Sequence, residues 1–211
     1  MDEKLQEIYT SILEGTNQNI GAQVQTALDA GIGPSQILND GMVAAMAEVG
    51  RLFEEGEFFV PEMLISARAM KTGMEVLKPH LAQAEVRSAG KVVIGTVQGD
   101  LHDIGKNLVA MMLEGAAFEI IDLGADVSPE RFVETVRESG AQVVAMSALL
   151  TTTMGSMRVT IDALKAANLR DKVKVIVGGA PLSAKYAQEI GADGFAMDAS
   201  QAVQEARKLV G

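Results

Sequence analysis

The 211-residue chain has no cysteine, only two histidines, and fewer basic than acidic residues, 18 Lys and Arg against 28 Asp and Glu. Without cysteine, disulfides, thiolate metal sites and iron–sulfur clusters are excluded. The net charge of −10 repels phosphate backbones, and no basic cluster offsets it, which argues against nucleic acid as a partner. No apolar run approaches the roughly 20 residues that a membrane span needs. The opening Met-Asp-Glu-Lys also lacks the basic-then-apolar build of a signal peptide. The expectation is a soluble, cytoplasmic protein with neither nucleic acid nor a membrane as partner. What remains is an ordinary globular composition, 48% hydrophobic and 22% charged, sufficient for one large or two small domains.

Hydrophobic periodicity divides the chain near residues 84 to 90. Before that point apolar residues recur at helical spacing: Leu5, Ile8 and Ile12; Ile20, Val24 and Leu28; Ile37, Leu38, Met42, Met46 and Val49; Met63, Leu64, Ala67, Met70, Met74 and Leu77. This spacing predicts four amphipathic helices. Gly15, Gly31 and Gly56 stand where helices end, and Pro34 and Pro61 stand at first-turn positions that need no N–H donor. Short connections favour an antiparallel bundle over residues 1–86. The polar stretch from Gln83 to Gly90 reads as a linker.

From residue 87 to 211 strands and helices alternate. Val92 to Val97, Phe118 to Leu123, Val143 to Ser147, Val173 to Val177 and Gly194 to Met197 read as short buried strands. Between them and after the last, Lys106 to Ala117, Pro129 to Ser139, Thr153 to Ala167, Ser183 to Ile190 and Ser200 to Val210 read as helices. Right-handed crossovers make this a flavodoxin-like α/β domain with a five-stranded parallel sheet. In strand order 2-1-3-4-5 the switch point lies between strands one and three, where ligands bind.

The loop at the end of the first strand carries one of the two histidines, within Gly95-Thr96-Val97-Gln98-Gly99-Asp100-Leu101-His102-Asp103-Ile104-Gly105-Lys106-Asn107. A histidine on a glycine-flanked loop can give one ring nitrogen to a metal while a carboxylate two residues earlier holds the other. Two plainer readings stand beside this one. Asp100 or Asp103 could cap the following helix, with His102 a solvated loop residue. A phosphate loop is rejected, because five residues separate Gly99 from Gly105 and Asn107 replaces the magnesium-binding hydroxyl. The loop after strand three, Ser147 to Thr153, is rich in hydroxyls, of which one threonine could cap a helix. After strand four, Gly178-Gly179 offers bare backbone against which a bulky ligand could lie.

The order Asp100-x-His102-x-x-Gly105, then Ser147-x-Leu149, then Gly178-Gly179 resembles the cobalamin-binding fold over residues 90 to 211. Upstream, Gly50-Arg51-Leu52-Phe53-Glu54-Glu55-Gly56-Glu57-Phe58-Phe59-Val60-Pro61-Glu62-Met63 resembles the helical cap that precedes this module in methionine synthase and in the small corrinoid proteins of anaerobic methyltransferase systems. The resemblance implies cobalamin, bound as methylcobalamin in the methylated state, with His102 ligating cobalt and Asp100 holding the other ring nitrogen. It implies that Thr153 contacts Asp100 where methionine synthase has a serine. Leu101, Asp103, Ile104 and Gly105 would complete the cofactor loop, and Ser147, Leu149, Thr151, Gly178 and Gly179 would line the pocket for the nucleotide tail. Phe53 and Val60 would cover the upper face, while Phe58, Phe59 and the cap methionines fit core packing equally well.

The function so implied is methyl carriage: cobalt(I) accepts a methyl group from a substrate-specific methyltransferase and delivers it to an acceptor methyltransferase. A chain of this size holds neither donor nor acceptor site, so both partners are needed, together with a reductive activase. Two alternatives share the module. An adenosylcobalamin mutase subunit would keep the His102 loop without this cap, and a cobalamin-sensing regulator would add a DNA-reading helix or a basic patch.

Overall fold

The computed structural model describes residues 2–84 and 88–211. The centre of the expected linker, residues 85–87, therefore lies outside the described residues. The chain divides into two compact units, one of residues 1–88 with Glu114–Ala117, the other of residues 89–113 and 118–211.

The first unit is helical. Helices α1 (Glu3–Leu13) and α2 (Ile20–Asp29) are followed by a continuous helical stretch, α3 (Pro34–Gln36), a π-helical segment (Ile37–Val43) and α4 (Ala44–Glu54), and then by α5 (Val60–Gln83). Most of the residues that the helical spacing selected form the core, with Leu5, Ile8, Ile12, Ile20, Val24, Met42, Val49, Met63, Met70 and Leu77 buried, whereas Leu64 is exposed and Leu28 and Met74 are only half-buried. Each buried aliphatic of this size contributes roughly 1.5–3 kcal/mol. The π segment explains an irregular spacing, since Ile37 and Met42 are five residues apart and both buried, as an i to i+5 repeat requires. Gly73 permits close packing in the middle of α5, where a Cβ would stand 2.8 Å from Met42 Cε and 3.2 Å from Ile20 Cγ1.

The second unit is the expected doubly wound domain. Its elements are β1 (Gly90–Thr96), α6 (Ile104–Gly115), β2 (Phe118–Asp122), α7 (Pro129–Ser139), β3 (Val143–Ser147), α8 (Gly155–Ala166), a 3-10 turn (Arg170–Lys172), β4 (Lys174–Gly178), α9 (Ala184–Ile190), β5 (Gly194–Ala196) and α10 (Ala199–Val210). All strands pair in parallel in the order β2-β1-β3-β4-β5. One face of the sheet buries Val93, Val144, Val175 and Val177 against Phe132, Val136, Ile161 and Leu164. The register aligns the strand ends. Thr96 lies opposite Ser147, Ser147 opposite Gly178, and Gly178 opposite Ala196, so four strands end in one row. The loops after β1, β3 and β4 therefore leave from a common edge, at the carboxyl ends of the strands where α/β sheets bind ligands.

Candidate functional site

Asp100 is the hub of this edge. Although its side chain is fully buried at 0% exposure, its two oxygens accept five hydrogen bonds. Oδ1 accepts from the backbone N–H of His102 at 3.0 Å and stands 2.8 Å from His102 Nδ1. Oδ2 accepts from the Thr153 hydroxyl at 2.7 Å and from the N–H groups of Leu149 and Leu150 at 2.8 and 3.3 Å. Burial alone would push this carboxyl up. It is outweighed by the Thr153 hydroxyl, the His102 and Leu149 N–H groups and the His102 ring, which together hold the carboxyl well below the usual range.

An ionised carboxylate can only accept. His102 must therefore carry its proton on Nδ1, which leaves the lone pair on Nε2 free to donate to a metal. The imidazole is half exposed at 50%, as an outward-facing ligand must be. A single imidazole suits a metal that arrives with its own equatorial ligands. Around it stand apolar side chains turned to solvent: Leu101 is 75% exposed and Ile104 84%, with Leu149 and Leu150 also exposed. Such an apolar rim on an aqueous surface fits the face of a large flat ligand.

The third loop packs closely against its neighbours. A Cβ on Gly179, whose φ is +136°, would fall 1.9 Å from the Ala148 carbonyl oxygen. One on Gly178 would fall 2.9 Å from the Ala196 oxygen. Only bare backbone can occupy these positions. Gly105 differs, since nothing lies within 4 Å of its Cβ direction.

The structure thus brings Asp100, His102, Leu149 and Thr153 into direct or hydrogen-bonded contact, sets Leu101, Asp103, Thr151 and Gly179 on the loops of the same strand ends, and places Ser147 and Gly178 at the last positions of β3 and β4 and Ile104 and Gly105 in the first turn of α6. Thr151 is exposed and Ser147 half-buried. Asp100 is no helix cap. Phe53 and Val60 belong to the helical unit, the first half-buried in the last turn of α4, the second exposed at the start of α5.

Three charged residues near the site are not anticipated by the sequence pattern. Lys106, on the first turn of α6, is buried, and its ammonium pairs with Asp122 and donates to Asn107 Oδ1 at 2.6 Å. Asn107 Nδ2 in turn donates to Asp103 Oδ2 at 3.1 Å. Asp126 accepts from the Gly99 N–H at 2.7 Å. The signal was available, because strand order 2-1-3 sets the end of β2 at Asp122 and the loop that follows, Leu123-Gly124-Ala125-Asp126, beside the His102 loop.

Comparison with known proteins agrees with this geometry. Residues 90–207 match the model of a B12 binding domain, and residues 4–78 match a second B12 binding domain model. A corrinoid protein of Desulfitobacterium hafniense is 43% identical over 210 residues, covering 98% of this chain and 97% of the relative. Trimethylamine corrinoid protein 1 of Methanosarcina acetivorans is 45% identical over 197 residues, 92% of this chain and 91% of the relative. Among solved structures, the methanol:cobalamin methyltransferase complex of Methanosarcina barkeri superposes with a TM-score of 0.88 at 30% identity, covering 99% of this chain and 80% of that one. With a histidine aimed outward by a buried carboxylate, glycines where backbone must be bare and matches across nearly its whole length, the chain belongs to the B12-binding corrinoid proteins of methyltransferase systems.

Proposed function

We propose that this protein carries methyl groups on a corrinoid held over His102, taking them from one methyltransferase and surrendering them to another. The observation that carries the reading is the 2.8 Å contact of His102 Nδ1 with the Asp100 carboxylate, which as an acceptor leaves Nε2 as the ring nitrogen able to donate to a metal. The corrinoid supplies a cobalt that alternately accepts and releases a methyl group. The chain's own residues bind and orient it. His102 would hold the corrinoid's cobalt, Asp100 would set the tautomer and basicity of the imidazole, and the Thr153 hydroxyl, bonded both to Asp100 and to the Leu150 carbonyl at 2.9 Å, would pass or retain a proton through that carboxylate. Leu101, Asp103, Ile104 and Gly105 would face the ring, and Ser147, Leu149, Thr151, Gly178 and Gly179 would take the nucleotide tail.

By resemblance, Phe53 and Val60 of the helical unit are the candidates for the opposite face of the ring. The partnership of a corrinoid-carrying chain with a methyltransferase in the Methanosarcina barkeri complex supports a methyltransferase as the first partner. An acceptor methyltransferase and a reductive activase complete the cycle, and low-valent cobalt calls for the reducing cytoplasm. Among the described residues no helix is long and apolar enough to cross a membrane.

The test is a corrinoid titration of the protein and of His102→Ala, followed by visible spectroscopy. The parent takes up one corrinoid with the corrinoid's own base displaced by histidine. The variant retains binding through the tail pocket but loses the histidine-ligated spectrum. A parent that binds no corrinoid, or a spectrum indifferent to the substitution, overturns the reading.

A further inference from the structure

The loop between β2 and α7, residues 123–128, supplies no group to the site described above, yet it grips the His102 loop. Asp126 makes the contact. Its backbone adopts φ +54°, a left-handed conformation that among non-glycine residues chiefly Asn and Asp adopt. This turn directs both polar ends of the residue at the same neighbour. The carboxylate Oδ1 accepts from the Gly99 N–H at 2.7 Å, and the Asp126 N–H donates to the Asp100 carbonyl at 3.0 Å. The two bonds fix the peptide planes on either side of the Gly99–Asp100 pair. Gly99 itself lies at φ +86°, and the turn is held on its other side by the Asp100 N–H donating to the Val97 carbonyl at 3.1 Å and the Ser156 hydroxyl to the Gln98 carbonyl at 3.0 Å, so the Asp126 bonds complete its grip.

Any rotation about Asp100 swings its carboxylate away from His102 Nδ1 or from Thr153, and so frees the imidazole. The far side of the loop is held separately, by Lys106 on Asp122 and by Asn107 on Asp103. Asp122 also accepts from the Gly124 N–H at 2.8 Å, which ties this second clamp to the same β2 loop.

We propose that Asp126 is a positioning residue for the His102 ligand: by clasping Gly99 and Asp100 together it holds the carboxylate that orients the imidazole. Left-handed backbone retained at a non-glycine position beside a ligand loop fits this role, because such conformations persist where the surroundings demand them. The inference rests on the corrinoid reading for its function, but its geometry can be tested without the cofactor.

The experiment compares the parent with Asp126→Gly and Asp126→Asn in the full chain. Glycine accepts the left-handed backbone freely and lacks the carboxylate, whereas asparagine keeps an acceptor oxygen and tolerates the same backbone. Four readouts are taken: the urea midpoint, the ring 15N shifts of His102 and the hydrogen exchange of the Gly99 amide, both in the corrinoid-free protein, and the histidine-ligated fraction of bound corrinoid from its visible spectrum. Asp126→Gly should leave the urea midpoint near the parent's, accelerate Gly99 exchange, mix the two His102 tautomers and weaken histidine ligation about 10-fold, the lower end for outer partners of metal ligands. Asp126→Asn should restore all of these. Ligation and tautomer unchanged in Asp126→Gly, or lowered equally in both variants, overturn the proposal. Should the glycine variant fail to fold, Gly99 exchange in the parent decides: exchange as fast as a free loop amide overturns it, and protection supports it. A parent that binds no corrinoid refutes the proposed function instead, and the tautomer and exchange measurements then judge the clamp alone.

Discussion

Replacing Asp100 by asparagine tests the centre of the site, because it keeps the shape and removes the charge. The carboxylate faces donors on both sides: the two N–H groups of His102 at Oδ1, and the Leu149, Leu150 and Thr153 groups at Oδ2. An amide has one acceptor side and one donor side, so one set must meet N–H with N–H. If the NH2 faces the β3 loop, Thr153 can turn its hydrogen to the Leu150 carbonyl and accept, but the Leu149 and Leu150 N–H groups are orphaned. If the NH2 faces His102, only the His102 backbone N–H is orphaned, while Nδ1 becomes an acceptor and its proton moves to Nε2. The second arrangement leaves fewer unsatisfied groups and is expected to prevail.

One orphaned buried N–H costs roughly 1–3 kcal/mol, and turning the remaining charge-assisted bonds into neutral ones removes about 1 kcal/mol more. The expected loss is roughly 2–4 kcal/mol, within the 5–15 kcal/mol typical of a folded domain, so the variant should fold. With the proton on Nε2 the ring has no lone pair for cobalt, and histidine ligation should weaken by about 10- to 100-fold. Urea unfolding gives the stability, ring 15N shifts of the corrinoid-free protein give the tautomer, and the visible spectrum of the corrinoid-bound protein gives the ligation. The stability gap also has a pH signature. A carboxyl whose folded-state pKa is depressed contributes stability above its unfolded value of ~3.9 and loses it as pH falls toward the folded value. The difference between parent and variant should therefore be flat from about pH 7 to 5 and shrink below about pH 4. A loss under about 1 kcal/mol with the parent's tautomer retained would refute the reasoning, since no orphaned donor would then exist.

Two glycine substitutions should separate folding from binding. Gly179→Ala drives a Cβ to 1.9 Å from the Ala148 carbonyl oxygen, a backbone atom that cannot move aside alone, and should cost roughly 2–4 kcal/mol in urea unfolding as well as corrinoid affinity. A midpoint within error of the parent's would show that the β3 and β4 loops are looser than the geometry implies. Gly105→Ala meets nothing within 4 Å and lies in the first turn of α6, where alanine raises helix propensity by up to about 1 kcal/mol. Its stability should hold or rise while corrinoid affinity falls, and an unchanged affinity would remove Gly105 from the ligand face.

Where the sequence alone was sufficient, the reason was periodicity or register. The i, i+3, i+4 spacing of Leu5, Ile8 and Ile12 selected residues that are all buried, and the apolar runs of the α/β half marked five strands with ends correct to within a residue or two. Strand order alone sets the His102 and Ser147 loops side by side. Periodicity could not anticipate the π segment at Ile37–Val43, because a five-residue interval looks like a lapse in a helical pattern until packing on Ile8 and Leu5 shows Gly41 held close to both. Nor could it find Lys106, which as a lysine on a first helical turn reads as solvated and is instead drawn under the loop by Asp122. Asp100 shows the same limit from the other side. A carboxylate two residues before a histidine is equally suited to capping a helix or to holding a ring, and the sequence cannot separate the two. What separates them is the β3 loop, which brings the Leu149 and Leu150 N–H groups and the Thr153 hydroxyl onto Oδ2 from some fifty positions downstream, |i−j| of 49 to 53. With Oδ2 occupied and the group ionised, Oδ1 has only donors to receive, and the tautomer of His102 is set by that demand. The chemistry of the ligand is thus decided by a contact between two loops that share only a row of strand ends, Thr96 opposite Ser147.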